Sequence, residues 1–181
     1  MDVSLSVSIA VIQDGKVLLI KREDFEVWGL PSGFVEEYES ISEAAIRETF
    51  EEVGLVIKLV RLVGIYSLPE YNKGNHTILF SAIPIGGNLK LQETEVLALD
   101  YFDPMHLPHP LIWWHRQRII DALQDRNSVI RSQNVIWPFD VNMTRQDLYN
   151  LRDESGISRQ EFFLRHFSRP LLSCEDSTPD F

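Results

Sequence analysis

Basic residues and cysteine are both scarce in this chain of 181 residues. Lysine and arginine together number 17 against 27 acidic residues, which gives a formal charge of −10. A surface with this excess of negative charge repels nucleic-acid phosphates and anionic lipids, so the sequence predicts no nucleic acid and no membrane as a partner. Cys174 is the sole cysteine and has no second thiol in the chain for a disulfide. This absence is typical of a protein from a reducing compartment.

Long apolar runs are missing as well. No stretch approaches the roughly 20 apolar residues that cross a bilayer, and the first residues lack the basic and apolar regions of a secretory signal. We therefore expect a soluble, cytoplasmic protein. With 44% hydrophobic residues, the chain is long enough for one well-packed domain and a short addition to it.

The first half of the chain predicts strands around one early helix. "SLSVSIAVI" and "KVLLIKR" read as two strands joined at Asp14 and Gly15, a pair suited to a tight hairpin turn. Ser40, with Glu43 three residues later, has the pattern of a helix N-cap, and Gly54 has that of its end. Three more strand-like runs follow, "LVIKLVRLVGIYS", "HTILFSAIPI" and "EVLALDYF".

A second helix is predicted from Pro110 to Leu123, with the proline in its first turn. Its predicted apolar face consists of Ile112, Ile119, Ile120 and Leu123. The segment "WWHRQR" within it sets aromatic residues beside arginines, as nucleic-acid sites do, but helical spacing favours one apolar stripe and one solvated stripe. Helices on both faces of a mixed sheet predict an α/β fold of the α/β/α sandwich type.

The character of the sequence changes at residue 126. We expect a first domain over residues 1–125 and a short helical extension over 126–181, which is not an independent domain. The extension begins as a polar loop and continues with two short helices capped by Thr144 and Ser158, and its last dozen residues read as a loose tail. It contains seven arginines, no lysine and eight acidic residues. A DNA-binding module normally has a basic face, so a lid over the site or a dimer contact is the favoured role.

The predicted first helix crowds carboxylates together in "GFVEEYESISEAAIRETFEEVGL". Glu48, Glu51 and Glu52 stand at i, i+3 and i+4 and share one face. Neighbouring like charges repel, so this face is either solvated surface or a site for a cation. Oxygen ligands of this kind select a hard ion such as Mg²⁺. The opposite face is expected to be buried and holds Ile46, Phe50 and Val53.

The order of residues around these glutamates resembles the Nudix box, a signature of glycine, glutamate, Arg-Glu, Glu-Glu and glycine at fixed spacings. The matching residues are Gly33, Glu39, Arg47, Glu48, Glu51, Glu52, Gly54 and Leu55. Thr49 departs from an aliphatic position, and Ser32 departs from a common glycine; neither change removes a carboxylate. The resemblance covers roughly residues 4–123.

This resemblance implies a Nudix-type sandwich and hydrolysis of a nucleoside diphosphate linked to another group. By position, Glu48, Glu51 and Glu52 would bind Mg²⁺ or Mn²⁺, and Arg47 would orient a carboxylate, with Glu39 and Glu48 as the two candidates. The catalytic base is left open: Glu52 is the candidate within the box. Outside it, Glu95 is favoured over Glu93 in the loop before the last strand.

The expected substrate is ADP-ribose or a related sugar nucleotide, with Trp28, Gly33, Pro69 and Tyr71 as candidate binding residues. Pro69 lies 15 residues after Gly54, near a proline of ADP-ribose-cleaving Nudix proteins, whereas Tyr71 lies near a tyrosine that accompanies diadenosine polyphosphate cleavage. The alternatives are therefore a diadenosine polyphosphate or nucleoside triphosphate hydrolase. A nucleotide sensor without turnover, or a transcriptional regulator, is a further alternative. A homodimer is also an open possibility.

Overall fold

The computed structural model describes residues 4–167, so Cys174 and the predicted loose tail lie outside the described residues. The strands are β1 (Ser4–Gln13), β2 (Lys16–Arg22), β3 (Trp28–Gly29), β4 (Ser32–Phe34), β5 (Leu55–Leu68), β6 (Asn75–Gly87), β7 (Val96–Phe102) and β8 (Val129–Ser132). The helices are α1 (Ile41–Val53), α2 (Trp113–Leu123), α3 (Arg145–Glu154) and α4 (Arg159–His166).

The strands form one mixed sheet in which β1 is the central element. Strand β1 pairs in parallel with β6 along most of its length, and antiparallel with β4 near its start and with β2 at its end. Strand β7 pairs with β2, and β5 pairs with β6. The predicted hairpin turn is present, with Asp14 and Gly15 both at positive φ. The predicted α/β fold with a mixed sheet is confirmed.

Side chains of β1 and β2 alternate between the two faces of the sheet, and apolar residues on each face pack against a helix. Val7, Ile9 and Val11 pack with Ala44 and Ala45 of α1. Residues of the opposite parity face α2: Ala10, Val17 and Leu19 pack with Ile119 and Ala122. Since successive side chains of a strand point to opposite faces, a strand buried on both sides must be apolar throughout. The runs "IAVI" of β1 and "VLLI" of β2 meet this requirement. The buried Ser6 and Ser8 of β1 are polar, and their hydroxyls hydrogen-bond to Thr77 and Arg118.

Helix α1 begins and ends where the sequence predicted, but its buried face is not the predicted one. Ser40 and Glu43 form a reciprocal capping box, and Gly54 ends the helix in the left-handed conformation with φ 73°. Ile46 and Phe50 are 42% and 56% exposed; of the predicted face, Val53 alone is buried, and Thr49 is fully buried beside it. The Thr49 hydroxyl donates to the Ala45 carbonyl at 2.8 Å, so its polar atom is satisfied inside the helix. The inward face is therefore built from small residues and contains Glu52.

Helix α2 begins at Trp113, three residues later than predicted, because the preceding segment is extended. The Ile112 amide donates to the Trp28 carbonyl, and the Trp28 amide donates to the Pro110 carbonyl. The solvated stripe predicted for "WWHRQR" is present only in part: Arg116 is exposed, but His115 and Arg118 are buried, as is Asp121 one turn later. The buried side chains have partners inside the fold, among them Arg131, which donates two hydrogen bonds to Asp121 at 2.8 and 3.0 Å.

The polar loop predicted after residue 126 contains a strand instead. β8 pairs in parallel with β5 and adds an edge to the sheet. The two helices beyond it are present and are capped by Thr144 and Ser158 as predicted. They pack through an aromatic cluster that joins Phe25 and Tyr71 to residues of the extension, including Trp137, Phe139, Phe162, Phe163 and Phe167. Within residues 4–167, no helix is long and apolar enough to cross a membrane.

Candidate active site

Residues 28–33, from β3 to the start of β4, form one wall of the candidate active site, and α2 holds them in place. The Leu30 amide donates to Nδ1 of His115 at 3.0 Å. Burial lowers the pKa of His115 well below its ordinary value, with Arg118 and Arg22 acting in the same direction. The imidazole is therefore neutral and accepts this hydrogen bond. A Cβ on Gly29 would lie 3.0 Å from Ile112, so the loop lies tightly against α2.

The far end of this loop meets two carboxylates of α1. The Ser32 amide donates to Oε2 of Glu52 at 2.9 Å. A Cβ on Gly33 would lie 2.0 Å from the carboxyl carbon of Glu48, so any side chain here would displace that carboxylate. Gly33 thus supplies the close approach that the box requires, and Ser32 fills the position of the usual glycine while still donating from its backbone.

Arg47 holds three glutamates together on the outer side of α1. Its guanidinium donates to both oxygens of Glu39 at 2.7 and 2.9 Å, and one nitrogen donates to Glu48 at 2.9 Å and to Glu51 at 3.0 Å. A fifth contact reaches the Phe34 carbonyl at 3.1 Å. Both alternatives for the carboxylate bound by Arg47, Glu39 and Glu48, are present together. A planar guanidinium with several fixed donors suits this role better than an ammonium group.

Glu52 is the most unusual ionisable group of the site because it is almost completely buried. Burial raises its pKa to about 8, against the opposing effects of Arg22 and the Ser32 amide. Glu48 and Glu95 raise it further through their negative charges. Burial likewise raises the pKa of Glu48. Carboxyl groups that disfavour one another's ionisation in this way are typical of functional sites.

Glu95 reaches this cluster through a loop that closes over the end of α1. The Lys90 amide donates to the Val53 carbonyl at 2.9 Å, and the Gln92 amide donates to the Glu52 carbonyl at 3.4 Å. The Glu95 carbonyl accepts from the Glu23 amide at 2.8 Å. These contacts satisfy carbonyls that a helix end leaves free, and they bring the exposed Glu95 side chain within electrostatic reach of Glu52.

The donor set of this site has the chemistry of a hard-cation site. In residues 4–167 no three His, Cys, Asp or Glu side chains converge on one point as metal ligands would. Glu48 and Glu51 point to Arg47 in this arrangement, and Glu52 accepts from Ser32. The mutual repulsion of Glu48, Glu52 and Glu95 is nevertheless what a divalent cation relieves. The residues fit such an ion once Glu48 and Glu51 turn from Arg47.

The structure brings Gly33, Arg47, the three box glutamates and Glu95 together, and within residues 4–167 no side-chain hydrogen bond links Trp28, Pro69 or Tyr71 to them. Trp28 is half-buried and packs edge-to-face on Phe102, with ring centres 4.9 Å apart. Pro69 is exposed directly after β5. Tyr71 packs in the aromatic cluster, 5.2 Å from Trp137. Burial raises the pKa of Tyr71 to about 12, with the charge of Arg22 opposing the shift.

Sequence reasoning missed Arg22. This residue ends β2 and its charge acts on both Glu52 and Tyr71. Its guanidinium donates to the two oxygens of Asp24 at 3.0 and 2.6 Å. Burial acts to lower the pKa of Arg22, but the charge and hydrogen bonds of Asp24 outweigh it and raise the pKa. The available signal was a basic residue at the end of an otherwise apolar strand, in "KVLLIKRED".

Comparison with known proteins identifies the class to which this fold and carboxylate site belong. A profile of the NUDIX domain matches residues 3–123. A protein of Methanocaldococcus jannaschii named as an ADP-ribose pyrophosphatase is 36% identical over 68% of this chain and 75% of its own length. A Bacillus subtilis protein described as a candidate 8-oxo-dGTP diphosphatase is 31% identical over 74% of this chain and 90% of its own.

The chain belongs to the Nudix hydrolase family, whose members generally use divalent metal ions. Solved structures agree on the fold. A crystal structure of an ADP-ribose pyrophosphatase from Streptococcus suis superposes with a TM-score of 0.63 at 23% identity, covering 73% of this chain and all of that one. The extension after residue 123 lies beyond the matched domain.

Proposed function

We propose that this Nudix hydrolase cleaves the diphosphate bridge of ADP-ribose or a closely related sugar nucleotide, with Mg²⁺ or Mn²⁺ as its cofactor. The observation that carries the proposal is the group of carboxylates of Glu48, Glu52 and Glu95, with Arg22 and Arg47 beside it. A diphosphate is anionic, so it can approach this acidic surface only when cations neutralise both partners.

Glu48, Glu51 and Glu52 would hold the cation, and the bound cation would polarise the phosphoryl oxygens and lower the pKa of an attacking water. Arg47 keeps Glu48 and Glu51 within reach by hydrogen bonds of 2.9 and 3.0 Å. Gly33 leaves room for the Glu48 carboxylate. Arg47 therefore positions the metal ligands, and Gly33 keeps the space beside Glu48 free of a side chain.

Two groups are suited to take the proton of the water. Glu52 is buried and its pKa of about 8 makes it basic enough near neutral pH when it is ionised. Glu95 is exposed, lies on a separate loop, and is free of the Arg47 network. We assign the base to Glu95 and metal binding to Glu52, because the Glu52 carboxylate already accepts from the Ser32 amide deep in the loop.

Observations on relatives and on residues Pro69 and Tyr71 bear on the choice of substrate, and they do not all favour the same nucleotide. The Methanocaldococcus jannaschii relative is named as an ADP-ribose pyrophosphatase, and Pro69 stands where the resemblance expects a proline in such enzymes. The Bacillus subtilis relative favours a nucleoside triphosphate. Tyr71, the cue for a diadenosine polyphosphate, packs against the rings of Trp114, Trp137 and Phe167, which argues against a stacking role for its own ring.

A panel at one Mg²⁺ concentration tests the assignment: ADP-ribose, diadenosine tetraphosphate, 8-oxo-dGTP and a UDP-sugar. We expect the highest kcat/KM for ADP-ribose, with AMP and ribose 5-phosphate as products, because specificity is the ratio of these constants. A higher value for 8-oxo-dGTP or the tetraphosphate would overturn the substrate assignment. Tight binding of one nucleotide with no turnover of any would favour a sensor.

The extension supports a lid or cap and not a regulatory DNA-binding module. Its helices cover Phe25 and Tyr71 beside the domain. We propose that residues 1–125 form the hydrolase domain and that 126–181 act with it as one unit, in the cytoplasm, where a chain with one cysteine is expected.

A second copy of the chain is the proposed partner for the exposed apolar residues of β5 and β6. Light scattering would test whether the chain is a dimer.

A further inference from the structure

The extension grips the turn between β2 and β3. Tyr149 donates its hydroxyl to Oδ2 of Asp24 at 3.3 Å, and Arg152 donates to the Asp24 backbone carbonyl. Arg159 donates to the Glu23 carbonyl at 3.1 Å and pairs with the Glu23 carboxylate. Both helices of the extension therefore hold two consecutive residues of one short turn.

The same turn supports two groups of the active site. Asp24 accepts two hydrogen bonds from Arg22, whose charge acts on Glu52. The amide of Glu23 donates to the carbonyl of Glu95 at 2.8 Å and fixes the backbone that carries the proposed base. A displacement of this turn would move Arg22 and Glu95 together.

Asp24 is the point at which the extension and the site meet. It is only 8% exposed, and it accepts from Arg22, from the Phe25 amide at 2.9 Å and from Tyr149. Arg145 lies 3.9 Å from the same carboxylate and donates to the Tyr149 hydroxyl at 2.6 Å. A buried carboxylate with this many donors is held in one orientation.

We propose that α3 and α4 form a clamp on residues 23–25. In this clamp Asp24 is a positioning residue: it orients Arg22 towards Glu52, and the turn to which it belongs keeps the loop of Glu95 in place beside Glu52. This inference rests on the proposed hydrolase function of the site. The extension then raises turnover from outside the catalytic domain, without contacting the reacting atoms. Groups that orient catalytic residues in this way typically change activity by about 10- to 100-fold when they are removed.

Two conservative changes in the extension test the clamp, each with a matched control. Arg145→Ala removes an arginine that is 66% exposed from the Asp24 network, and Arg165→Ala removes one that is 60% exposed and that, among residues 4–167, pairs with Glu161 of its own helix alone. Tyr149→Phe removes the hydroxyl that reaches Asp24. Tyr101→Phe removes a buried hydroxyl that has no hydrogen-bond partner among residues 4–167.

The measurement is kcat and KM of the full chain on the nucleotide that it hydrolyses fastest, together with the melting temperature. We expect Arg145→Ala and Tyr149→Phe to lower kcat by about 10-fold while KM changes little. Asp24→Asn should lower it at least as far. Arg165→Ala and Tyr101→Phe should match the wild type, and melting temperatures should stay close in all four extension and control variants.

Hydrogen–deuterium exchange provides a readout that needs no substrate. Peptides covering residues 22–27 and 92–96 should exchange about 3- to 10-fold faster in Arg145→Ala and Tyr149→Phe, since each loses an interaction that keeps the turn closed. The controls should exchange like the wild type.

The outcomes separate the clamp from the hydrolase assignment. A wild type that turns over no nucleotide would refute the proposed function, while the exchange data would still judge the clamp. Faster exchange with unchanged kcat would overturn the positioning role, and unchanged exchange would overturn the clamp itself. A fall in kcat that only parallels a fall in melting temperature, in Arg145→Ala, Tyr149→Phe and Arg165→Ala alike, would mean that the extension contributes stability alone.

Discussion

Gly33 and Glu48 approach each other so closely that a methyl group on Gly33 would overlap the Glu48 carboxylate, at 2.0 Å from its carboxyl carbon. The φ angle of Gly33 is not among the positive ones, so the backbone itself would accept an alanine. The constraint comes from the side chain that lies opposite, which the proposed mechanism requires as a metal ligand.

Gly33→Ala should therefore leave the fold intact and impair the site. The Glu48 carboxylate is the far end of a flexible side chain, so it can move aside at a modest cost in stability of about 1–3 kcal/mol. We expect turnover to fall about 10-fold or more because a ligand is displaced by an ångström or more. Gly86→Ala is the control, since its Cβ would lie 3.8 Å from Val56 in ordinary contact. Equal activity in both variants would remove Glu48 from the site.

Glu52→Gln should lower turnover by about 10²-fold or more if Glu52 binds the cation. The amide oxygen of glutamine can still accept from the Ser32 amide, so the loop should keep its place. Mg²⁺ or Mn²⁺ should raise the melting temperature of the wild type and raise that of the variant much less, because a ligand stabilises only the state that binds it. Activity near that of the wild type would rule out the box as the catalytic centre.

The stability of the metal-free protein should depend on pH through Glu52. Burial raises the pKa of Glu52 in the folded protein from 4.5 to about 8. The folded state therefore holds a proton that the unfolded state releases, and this contribution is complete below pH 4.5 and is lost as the pH rises towards 8. Each pKa unit of difference between the folded and unfolded states changes the free energy of unfolding by about 1.4 kcal/mol.

In EDTA, Glu52→Gln should consequently melt close to the wild type at pH 5 and above it at pH 8. Comparing two chains that differ at one residue cancels the titrations of groups that do not interact with Glu52, so the difference reports Glu52 and the carboxylates coupled to it. A constant difference in melting temperature across this range would show that the carboxyl group ionises as freely in the folded chain as in the unfolded one.

Glu95→Gln should reduce kcat while leaving metal affinity nearly unchanged, if Glu95 accepts the proton of the water. Its backbone contacts to Glu23 and Gln92 do not involve the side chain, so the loop should stay in place. Manganese binding, followed by electron paramagnetic resonance, separates the roles: Glu52→Gln should weaken it and Glu95→Gln should not. Equal weakening in both variants would put Glu95 among the ligands.

The sequence predicted those parts of the structure that depend on local pattern. The caps of α1 at Ser40 and Gly54 follow from short-range chemistry, as does the turn at Asp14. The carboxylates of the box could be named because their spacing is fixed within one helix. The spacing did not show that Glu52 faces inward while Phe50 faces solvent, because the small residues of α1 decide which face packs on the sheet.

Features that depend on contacts between distant parts of the chain could not be predicted from the sequence. Arg22 joins the site only through the fold, since Glu52 lies 30 residues further along the chain. Strand β8 has only four residues, too few for a clear alternation, and it is defined by its pairing with the parallel strand β5. The buried polar residues of α2 looked like a solvated stripe because their partners, such as Leu30 and Arg131, lie far away along the chain.

Removal of the extension gives the remaining prediction, since a chain ending at Gln124 would lose β8, α3 and α4. Asp121 is fully buried and would be left without Arg131, which donates to both of its oxygens. An uncompensated buried charge costs about 3–5 kcal/mol. Phe25 and Trp114, now 8% and 7% exposed, would also face water.

We therefore expect the chain ending at Gln124 to melt well below the full chain or to aggregate, and to melt below a chain ending at Phe167, which retains these contacts. Melting temperature and light scattering of the three chains test this, and duplex-DNA binding is measured alongside at physiological salt. The near-neutral extension should give no appreciable binding. A stable, monomeric chain ending at Gln124 would show that the extension is a separate module, and salt-sensitive DNA binding that disappears with it would make that module a regulator.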